Sequence, residues 1–139
     1  MIFTRTTREF YFFLMMSSQS ALEDRANRIS EAIASIQKSI QLLESSGDIA
    51  PTGCCIVHYR ARGHKKHYWY YKLQASEPIF PTKSGKMTRY KHLGASGTEA
   101  HIEALMQINR RNQLDVLSKT LDSLVRCLSD LYESSQSPK

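Results

Sequence analysis

The chain has 139 residues, of which 41% are hydrophobic and 23% are charged. These proportions are ordinary for a folded protein, and they exclude a collagen-like chain, a disulfide-dense miniprotein and a polytopic membrane protein. The formal net charge is +6, with 19 Lys and Arg residues against 13 Asp and Glu residues. A basic chain of this kind favours an acidic partner, which is a nucleic acid, an anionic membrane or an acidic protein surface.

The first segment, residues 1–19, is interpreted as an N-terminal extension. It contains an apolar run, Phe10 to Met16, that follows two arginines. The run is too short to cross a membrane, since a spanning helix needs about 20 apolar residues. A signal peptide is one interpretation of this pattern. Helix signals begin directly after Met16, however, and they favour a short strand or an upstream extension whose natural start is Met15 or Met16.

A long coiled-coil helix is predicted over residues 20–46. Ser20 and Glu23 form a capping box, in which a hydroxyl and a carboxylate satisfy two amides at a helix start. The apolar residues that follow are spaced alternately four and three apart, which is the heptad pattern of a coiled coil. This stripe consists of Leu22, Ala26, Ile29, Ile33, Ile36, Ile40 and Leu43. Gly47 is the expected stop of the helix.

A second long helix is predicted over residues 98–133, with Thr98 as its N-cap and Glu99 in its first turn. Its later half repeats the heptad spacing, with a stripe of Leu114, Leu117, Leu121, Leu124, Leu128 and Leu131. Its earlier half has a stripe in another phase, and polar residues 109–113 separate the two. The earlier half is therefore expected to pack on the middle of the chain, and the later half to join a bundle with the first helix. Residues 134–139 are expected to fray.

Between the helices, residues 54–97 alternate with a period of two and predict three strands. These strands are expected at residues 54–60, 66–75 and 86–93, with a loop at 76–85. In the second strand Tyr68, Tyr70 and Lys72 share one face, and Trp69 lies on the other. The predicted fold class is α+β: a long heptad-patterned helix, a three-stranded antiparallel β-sheet and a second long helix. The helices are expected to pair as a coiled coil or a four-helix bundle.

The basic excess lies entirely in the sheet region. Residues 58–92 hold nine basic residues and one acidic residue, Glu77, whereas the segments on either side are each slightly acidic. A basic sheet with interleaved aromatic residues favours nucleic-acid binding, because cations contact phosphates and guanine edges and rings stack on unpaired bases. The candidate contacts are Arg60, Arg62, Lys65, Lys66, Tyr68, Tyr70, Lys72, Lys86, Arg89 and Lys91. At least one aromatic face is instead expected to form the core.

Short patterns in this region resemble a known family. They are Tyr68-Trp69-Tyr70-Tyr71, Gly85-Lys86, Arg89-Tyr90, Leu93-Gly94 and the helix start Thr98-Glu99-Ala100. Together they are similar to the three-stranded-sheet, AP2-like DNA-binding domains at the N-termini of phage-type tyrosine recombinases, and to small transposon- and phage-associated proteins. The resemblance covers about residues 56–108. It implies that an exposed sheet face binds DNA through Arg60, Lys72, Arg89 and Lys91.

The chain departs from that family in two ways. The loop at residues 76–84 is long and contains two prolines, and heptad helices stand where a recombinase has its catalytic domain. No room remains for the recombinase Arg, His and Tyr machinery, so the resemblance implies DNA binding without catalysis.

The sequence carries no catalytic or cofactor motif. Cys55 with His58 and His64 with His67 suggest zinc ligands, but the members of each pair are three apart on a strand and point to opposite faces. No metal site is therefore expected. Acidic residues are nearly missing from the sheet region, and no G-x-S-x-G or phosphate-binding glycine pattern occurs. The odd number of cysteines, three, favours free thiols in a reducing cytoplasm.

The sequence thus predicts a cytoplasmic, non-enzymatic nucleic-acid-binding protein without a cofactor or a membrane partner, and of mobile-element or regulatory origin. Duplex DNA is the favoured nucleic acid, and the helices are expected to make a homodimer. The predicted oligomer seam consists of Leu22, Ile29, Ile33, Ile36, Ile40, Leu43, Leu117, Leu121, Leu124 and Leu128. Two alternatives stay open: a coiled-coil adaptor whose sheet docks an acidic protein surface, and a binder of single-stranded nucleic acid or RNA.

Overall fold

The structure is a computed structural model that describes residues 3–63 and 66–136. Its elements in chain order are α1 (Phe3–Ser45), β1 (Cys55–Arg62), β2 (His67–Gln74), β3 (Phe80–Pro81), β4 (Met87–Thr88), β5 (Tyr90–Ala95) and α2 (Glu99–Gln136). Strands β1, β2 and β5 form a three-stranded antiparallel sheet in that order, and β3 pairs with β4 in a separate ribbon. The predicted α+β fold, with a three-stranded antiparallel sheet between two long helices, is confirmed.

The chain divides into two compact units. The helical unit comprises Met1–Ser39 and Leu117–Lys139, and the sheet unit comprises Ile40–Val116. Helix α2 is continuous, with its first half in the sheet unit and its second half in the helical unit. The division follows closely after polar residues 109–113, where the sequence predicts that the apolar stripe changes phase.

The core of the sheet unit lies between the sheet and the first half of α2. Leu73, Leu93 and Ala104 are buried at its centre, and Ile56, Tyr71, Phe80, Ile108 and Cys54 pack around them. Since Ala104 and Ile108 belong to α2, the prediction that the first half of this helix packs on the sheet is confirmed. The burial of these apolar side chains is the main source of stability for the unit.

The two faces of the sheet follow from the register. Side chains alternate along a strand, and directly paired residues share a face. The core face carries Ile56, His58, Arg60, Trp69, Tyr71, Leu73, Lys91 and Leu93. The open face, turned away from α2, carries Val57, Tyr59, Tyr68, Tyr70, Lys72, Tyr90 and His92. A register shift between Tyr71 and Lys72 interrupts the pairing of β2 with β5.

Helix α2 starts where the sequence predicts. The Oγ1 atom of Thr98 accepts a hydrogen bond from the backbone N–H of His101 at 3.3 Å, as an N-cap does. The same hydroxyl donates to the Leu93 carbonyl at 2.8 Å. Glu99 lies in the first turn, where the helix dipole favours a negative charge. The cap therefore joins the start of α2 to the end of β5.

Helix α1 starts much earlier than the sequence predicts. It runs unbroken from Phe3 to Ser45, so the capping box at Ser20 lies inside the helix, and residues 3–19 of the expected extension belong to it. The physical reason is that residues 3–45 contain no glycine or proline to interrupt a helix. The apolar side chains of residues 10–16 are all exposed. The end of the helix at Ser45 agrees with the stop predicted near Gly47.

The predicted third strand is divided between two pairings. Its first part, β4, pairs with β3, and only the residues from Tyr90 onward pair with β2. The pairing partner changes at Arg89. Its carbonyl accepts a hydrogen bond from the Ala75 N–H at 2.8 Å, and its Nε donates a hydrogen bond to the Ala75 carbonyl at 3.2 Å. Strand β3 and its pairing with β4 were not predicted, because β3 has only two residues and contains Pro81.

The connection from α1 to β1 is held on α2 by two arginines. Arg110 Nη1 donates to the Asp48 carbonyl at 2.8 Å, and Arg111 Nε donates to the Ala50 carbonyl at 2.7 Å. A polar stretch at residues 109–113 is therefore needed to satisfy backbone groups of the connection.

Gly47 allows this connection to approach the helix closely. A Cβ atom at this position would lie 2.5 Å from Arg110 Cζ. The guanidinium that reaches Asp48 thus occupies the space that a side chain at position 47 would need.

The helical unit contains most of the predicted heptad stripe. Its residues from Leu22 to Ile36 on α1 and from Leu117 to Leu131 on α2 are partly or fully buried. A groove of about 910 Å³ is lined by Leu14 and Leu22 of α1 together with Leu131 of α2, among other residues of these helices. Within residues 3–63 and 66–136, no helix holds an apolar stretch long enough to cross a membrane.

Candidate nucleic-acid interface

The open face carries a row of tyrosines. The ring centroids of Tyr59 and Tyr70 are 6.0 Å apart, and those of Tyr68 and Tyr70 are 6.3 Å apart. Tyr59 and Tyr70 are cross-strand partners, which places their rings side by side. Tyr68, at the end of the row, is 48% exposed. The row presents aromatic surface on the side of the sheet that α2 does not cover.

Lys72 lies among these rings. Its Nζ atom is 5.1 Å from the ring centroid of Tyr59 and 4.4 Å from that of Tyr90. Such contacts hold a cation by attraction to the ring faces. The Tyr59 hydroxyl is also hydrogen-bonded to His92 Nδ1 at 2.9 Å. By sequence, β1, β2 and β5 contain no Asp or Glu, so the strands supply no carboxylate to neutralise this charge.

Arg60, Arg62 and Lys91 lie on the core face of the sheet by strand alternation. All three are exposed. The Cζ atom of Arg60 is 5.8 Å from the ring centroid of Trp69, its cross-strand partner. The core face is therefore apolar where α2 covers it and basic beyond that contact.

The remaining predicted cations lie at turns around the sheet. Lys66 is exposed just before β2, and Lys86 is exposed in the turn that joins β3 to β4. Arg89 donates a hydrogen bond to Ala75, so its side chain also has a structural role. Lys65 lies outside the described residues.

The ten predicted contacts are thus not gathered on one face. Tyr68, Tyr70 and Lys72 are on the open face, whereas Arg60, Arg62 and Lys91 are on the core face. In particular, the four residues that the family resemblance implies as contacts do not share a face. These four residues have in common only that they belong to the sheet unit.

Sequence reasoning missed a groove beside the edge strand β5. The groove has a volume of about 700 Å³ and lies between the sheet and the β3–β4 ribbon. Lys72, Tyr90 and His92 line it from the sheet, and Phe80 and Lys83 line it from the ribbon. The pairing of β3 with β4 brings these residues together, and no periodicity in the sequence signals that pairing.

A column of four rings crosses the core face. The ring centroids of Trp69 and His58 are 4.1 Å apart, those of His58 and Tyr71 are 4.8 Å apart, and those of Tyr71 and His101 are 3.9 Å apart. All three pairs are stacked. The sequence could not show this column because His101 comes from α2.

The cysteines and histidines do not form a metal centre in the described part of the chain. No group of three or more His, Cys, Asp or Glu residues there is placed to hold a metal ion, and His64 lies outside that part. Cys54, Cys55 and Cys127 are free thiols. Burial raises the pKa of the Cys54 thiol, the neighbouring Cys55 raises it further, and Arg111 opposes the shift. At neutral pH a smaller fraction of Cys54 is therefore in the reactive thiolate form than of an ordinary cysteine.

The sheet unit thus combines exposed cations, exposed aromatic rings and strands without carboxylates. A polyanion that also carries flat rings would complement this surface in charge and in shape. Comparisons of the chain with protein-family models, with curated proteins and with solved structures find no match.

Proposed function

We propose that the chain is a non-enzymatic, cytoplasmic nucleic-acid-binding protein that contacts phosphates through its sheet unit. The observation that carries this proposal is the separation of charge along the chain. Nine of the 19 Lys and Arg residues lie between residues 58 and 92, with Glu77 as the only acidic residue there. All the described cations in this region except Lys72, which is half-buried, are exposed. A phosphate backbone is the common polyanion with charges spaced closely enough to meet several of them.

Duplex DNA is the favoured partner within this proposal. Two observations support it: the sequence resemblance to sheet domains that bind DNA, and the exposure of Arg60, Arg62 and Lys91. Phosphate contacts position a protein on a duplex, and side chains that reach base edges add specificity. Because the cations are distributed over both faces, phosphate contacts are expected to contribute most of the affinity.

Reversal of two charges tests this function. The double substitution Arg62→Glu and Lys91→Glu is expected to weaken duplex binding at least about tenfold, because each new carboxylate repels a phosphate. Both side chains are exposed, whereas the Arg89 side chain donates a hydrogen bond to the Ala75 carbonyl, so the double substitution is expected to keep the fold. Fluorescence anisotropy of a labelled duplex at 50 mM salt measures the effect.

The matched control is the double substitution Lys119→Glu and Arg126→Glu in the helical unit. It changes the net charge by the same amount at two exposed positions of α2, and it is expected to leave duplex binding within about twofold of the wild type. Equal losses in both variants would indicate a general charge effect. If the wild type binds an acidic protein surface but no nucleic acid, the adaptor alternative replaces the proposal.

We further propose that the helical unit forms a homodimer. The heptad stripes in this unit consist of partly buried side chains, with Ala26 as the one fully buried residue among its described positions. The apolar side chains of residues 10–16 are exposed as well. A second pair of helices would cover these residues in a four-helix bundle.

Sedimentation equilibrium tests the dimer. The measured mass of the wild type is expected to approach twice that of one chain as concentration rises. Ile33→Glu places a charge on the stripe and is expected to return the mass to that of one chain, because a buried unpaired carboxylate is unfavourable. Ala34→Glu, at the adjacent exposed position, is the control and should still dimerise. A wild-type mass of one chain at every concentration would show that the dimer is wrong.

A further inference from the structure

The ring column on the core face has one fixed end. His101 is 6% exposed, and its Nδ1 atom accepts a hydrogen bond from the Gly97 N–H at 3.1 Å. Tyr71, the next ring, packs against the buried core. Each further ring is stacked on the one before it. The column therefore fixes the orientation of its last ring, so that little side-chain freedom would be lost when a ligand binds there.

The other end of the column is open. Trp69, its last ring, is 52% exposed, although tryptophan is highly buried on average. His58, on which it stacks, is also exposed. Here the largest ring of the column is presented to solvent at the part of the core face that α2 leaves uncovered.

The surroundings of Trp69 define the charge of a suitable ligand. The guanidinium of Arg60 lies over the Trp69 ring, with its Cζ atom 5.8 Å from the ring centroid, so this flexible side chain would move aside when a base stacks on the ring. Arg62 follows on the same face. Neither β1 nor β2 contains an acidic residue. A ligand that stacks on this ring would thus meet cations within a few ångströms. A nucleotide fits both features, because its base is flat and its phosphate is anionic.

We infer that the exposed end of the Trp69–His58–Tyr71–His101 column is a stacking site for an unpaired base of single-stranded nucleic acid, with Arg60 beside the phosphate of that nucleotide. This inference rests on the proposed phosphate binding of the sheet unit, and it adds a base contact that a single strand offers and an intact duplex does not. The open-face tyrosines differ from this column, because the rings of Tyr59, Tyr70 and Tyr68 are tilted with respect to one another and are not stacked. Trp69 is therefore the ring best prepared to receive a base.

The test compares an oligonucleotide with bases against one without them. Oligo(dT), oligo(U) and an abasic oligonucleotide of the same length carry equal numbers of phosphates, so the abasic strand reports the phosphate contacts alone. The wild type is expected to bind a strand with bases at least about fivefold more tightly than the abasic strand. The chain has one tryptophan, and its fluorescence is expected to be quenched by the strands with bases only. The polymer with the larger affinity ratio identifies the source of the base.

Substitutions at Trp69 test whether this residue is the ring on which the base stacks. Trp69→Ala is expected to bring the affinity ratio close to one while the abasic strand still binds, and Trp69→Phe is expected to keep part of the ratio because a ring remains. Tyr132→Ala is the control for loss of an aromatic ring of similar exposure, since Tyr132 is 50% exposed and lies in the helical unit. Its ratio should equal that of the wild type. Far-UV circular dichroism verifies that each variant is folded.

Three results would overturn the inference, and they are distinct from failure of the proposed function. Equal affinity of the wild type for strands with and without bases would exclude a base contact while leaving phosphate binding in place. Duplex binding without single-strand binding would do the same. A ratio that survives Trp69→Ala and is lost in Tyr68→Ala would move the stacking site to the open face. If neither duplex nor single strand binds, the proposed function itself is wrong.

Discussion

Raising the salt concentration from 50 to 200 mM is expected to weaken duplex DNA binding about a thousandfold. The described cations that are exposed and predicted as contacts are Arg60, Arg62, Lys66, Lys86, Arg89 and Lys91. If these six neutralise about six phosphates, the logarithm of the affinity falls with the logarithm of salt concentration with a slope of about −5. Anisotropy titrations of one labelled duplex over a salt series at fixed pH measure this slope.

The Arg62→Glu and Lys91→Glu variant supplies the internal comparison. Each lost phosphate contact is expected to reduce the steepness of the slope by about one. The variant should therefore show a slope of about −3, whereas the Lys119→Glu and Arg126→Glu control should keep the wild-type value. An affinity that is equal at 50 and 200 mM would mean that phosphates are not what the sheet unit contacts.

Leu73→Ala is expected to destabilise the sheet unit by about 2–5 kcal/mol. The Leu73 side chain is 4% exposed and packs with Leu93 and Ala104 at the centre of the core. Truncation of the side chain reduces the apolar surface that is buried on folding. It also leaves a cavity that the neighbouring side chains fill only in part. Urea denaturation followed by Trp69 fluorescence reports on this unit specifically, because the one tryptophan of the chain lies in it.

The matched control for this substitution is Leu42→Ala. Leu42 also belongs to the sheet unit, but its side chain is 63% exposed, so its removal is expected to change the free energy of unfolding by no more than about 0.5 kcal/mol. Equal losses for both substitutions would contradict the position of the core between the sheet and α2.

Local signals in the sequence were sufficient for much of the fold. Thr98 and Glu99 mark the start of α2 because the cap depends on residues within one turn. Tyr68, Tyr70 and Lys72 could be placed on one face of their strand, opposite Trp69, because alternation within a single strand needs no long-range information. The start of α1 could not be found in this way. The Ser20–Glu23 pattern is compatible with a helix interior, and only the tertiary structure shows that the preceding residues are helical too.

The sequence could identify the basic and aromatic residues of the candidate site, but not which of them lie on the same face of the sheet. Charge counts identified the sheet unit as the basic part of the chain. They could not show that Lys72 and Arg60 lie on opposite faces, because this depends on the pairing register of β1 and β2. The ring column could not be predicted from the sequence for another reason. It connects Trp69 to His101, which is 32 positions away and belongs to another element.

The close approach of Arg110 to Gly47 has a consequence for sequence variation in this fold. The guanidinium lies so close to the position that a Cβ atom would take at residue 47 that the two groups would overlap. A larger residue at position 47 would displace the guanidinium, and the exposed Asp48 carbonyl would exchange this donor for water. A shorter side chain at position 110 would relieve the contact but would also remove the donor. A larger residue at position 47 is therefore expected to be accommodated more readily when residue 110, 63 positions away, has a shorter side chain.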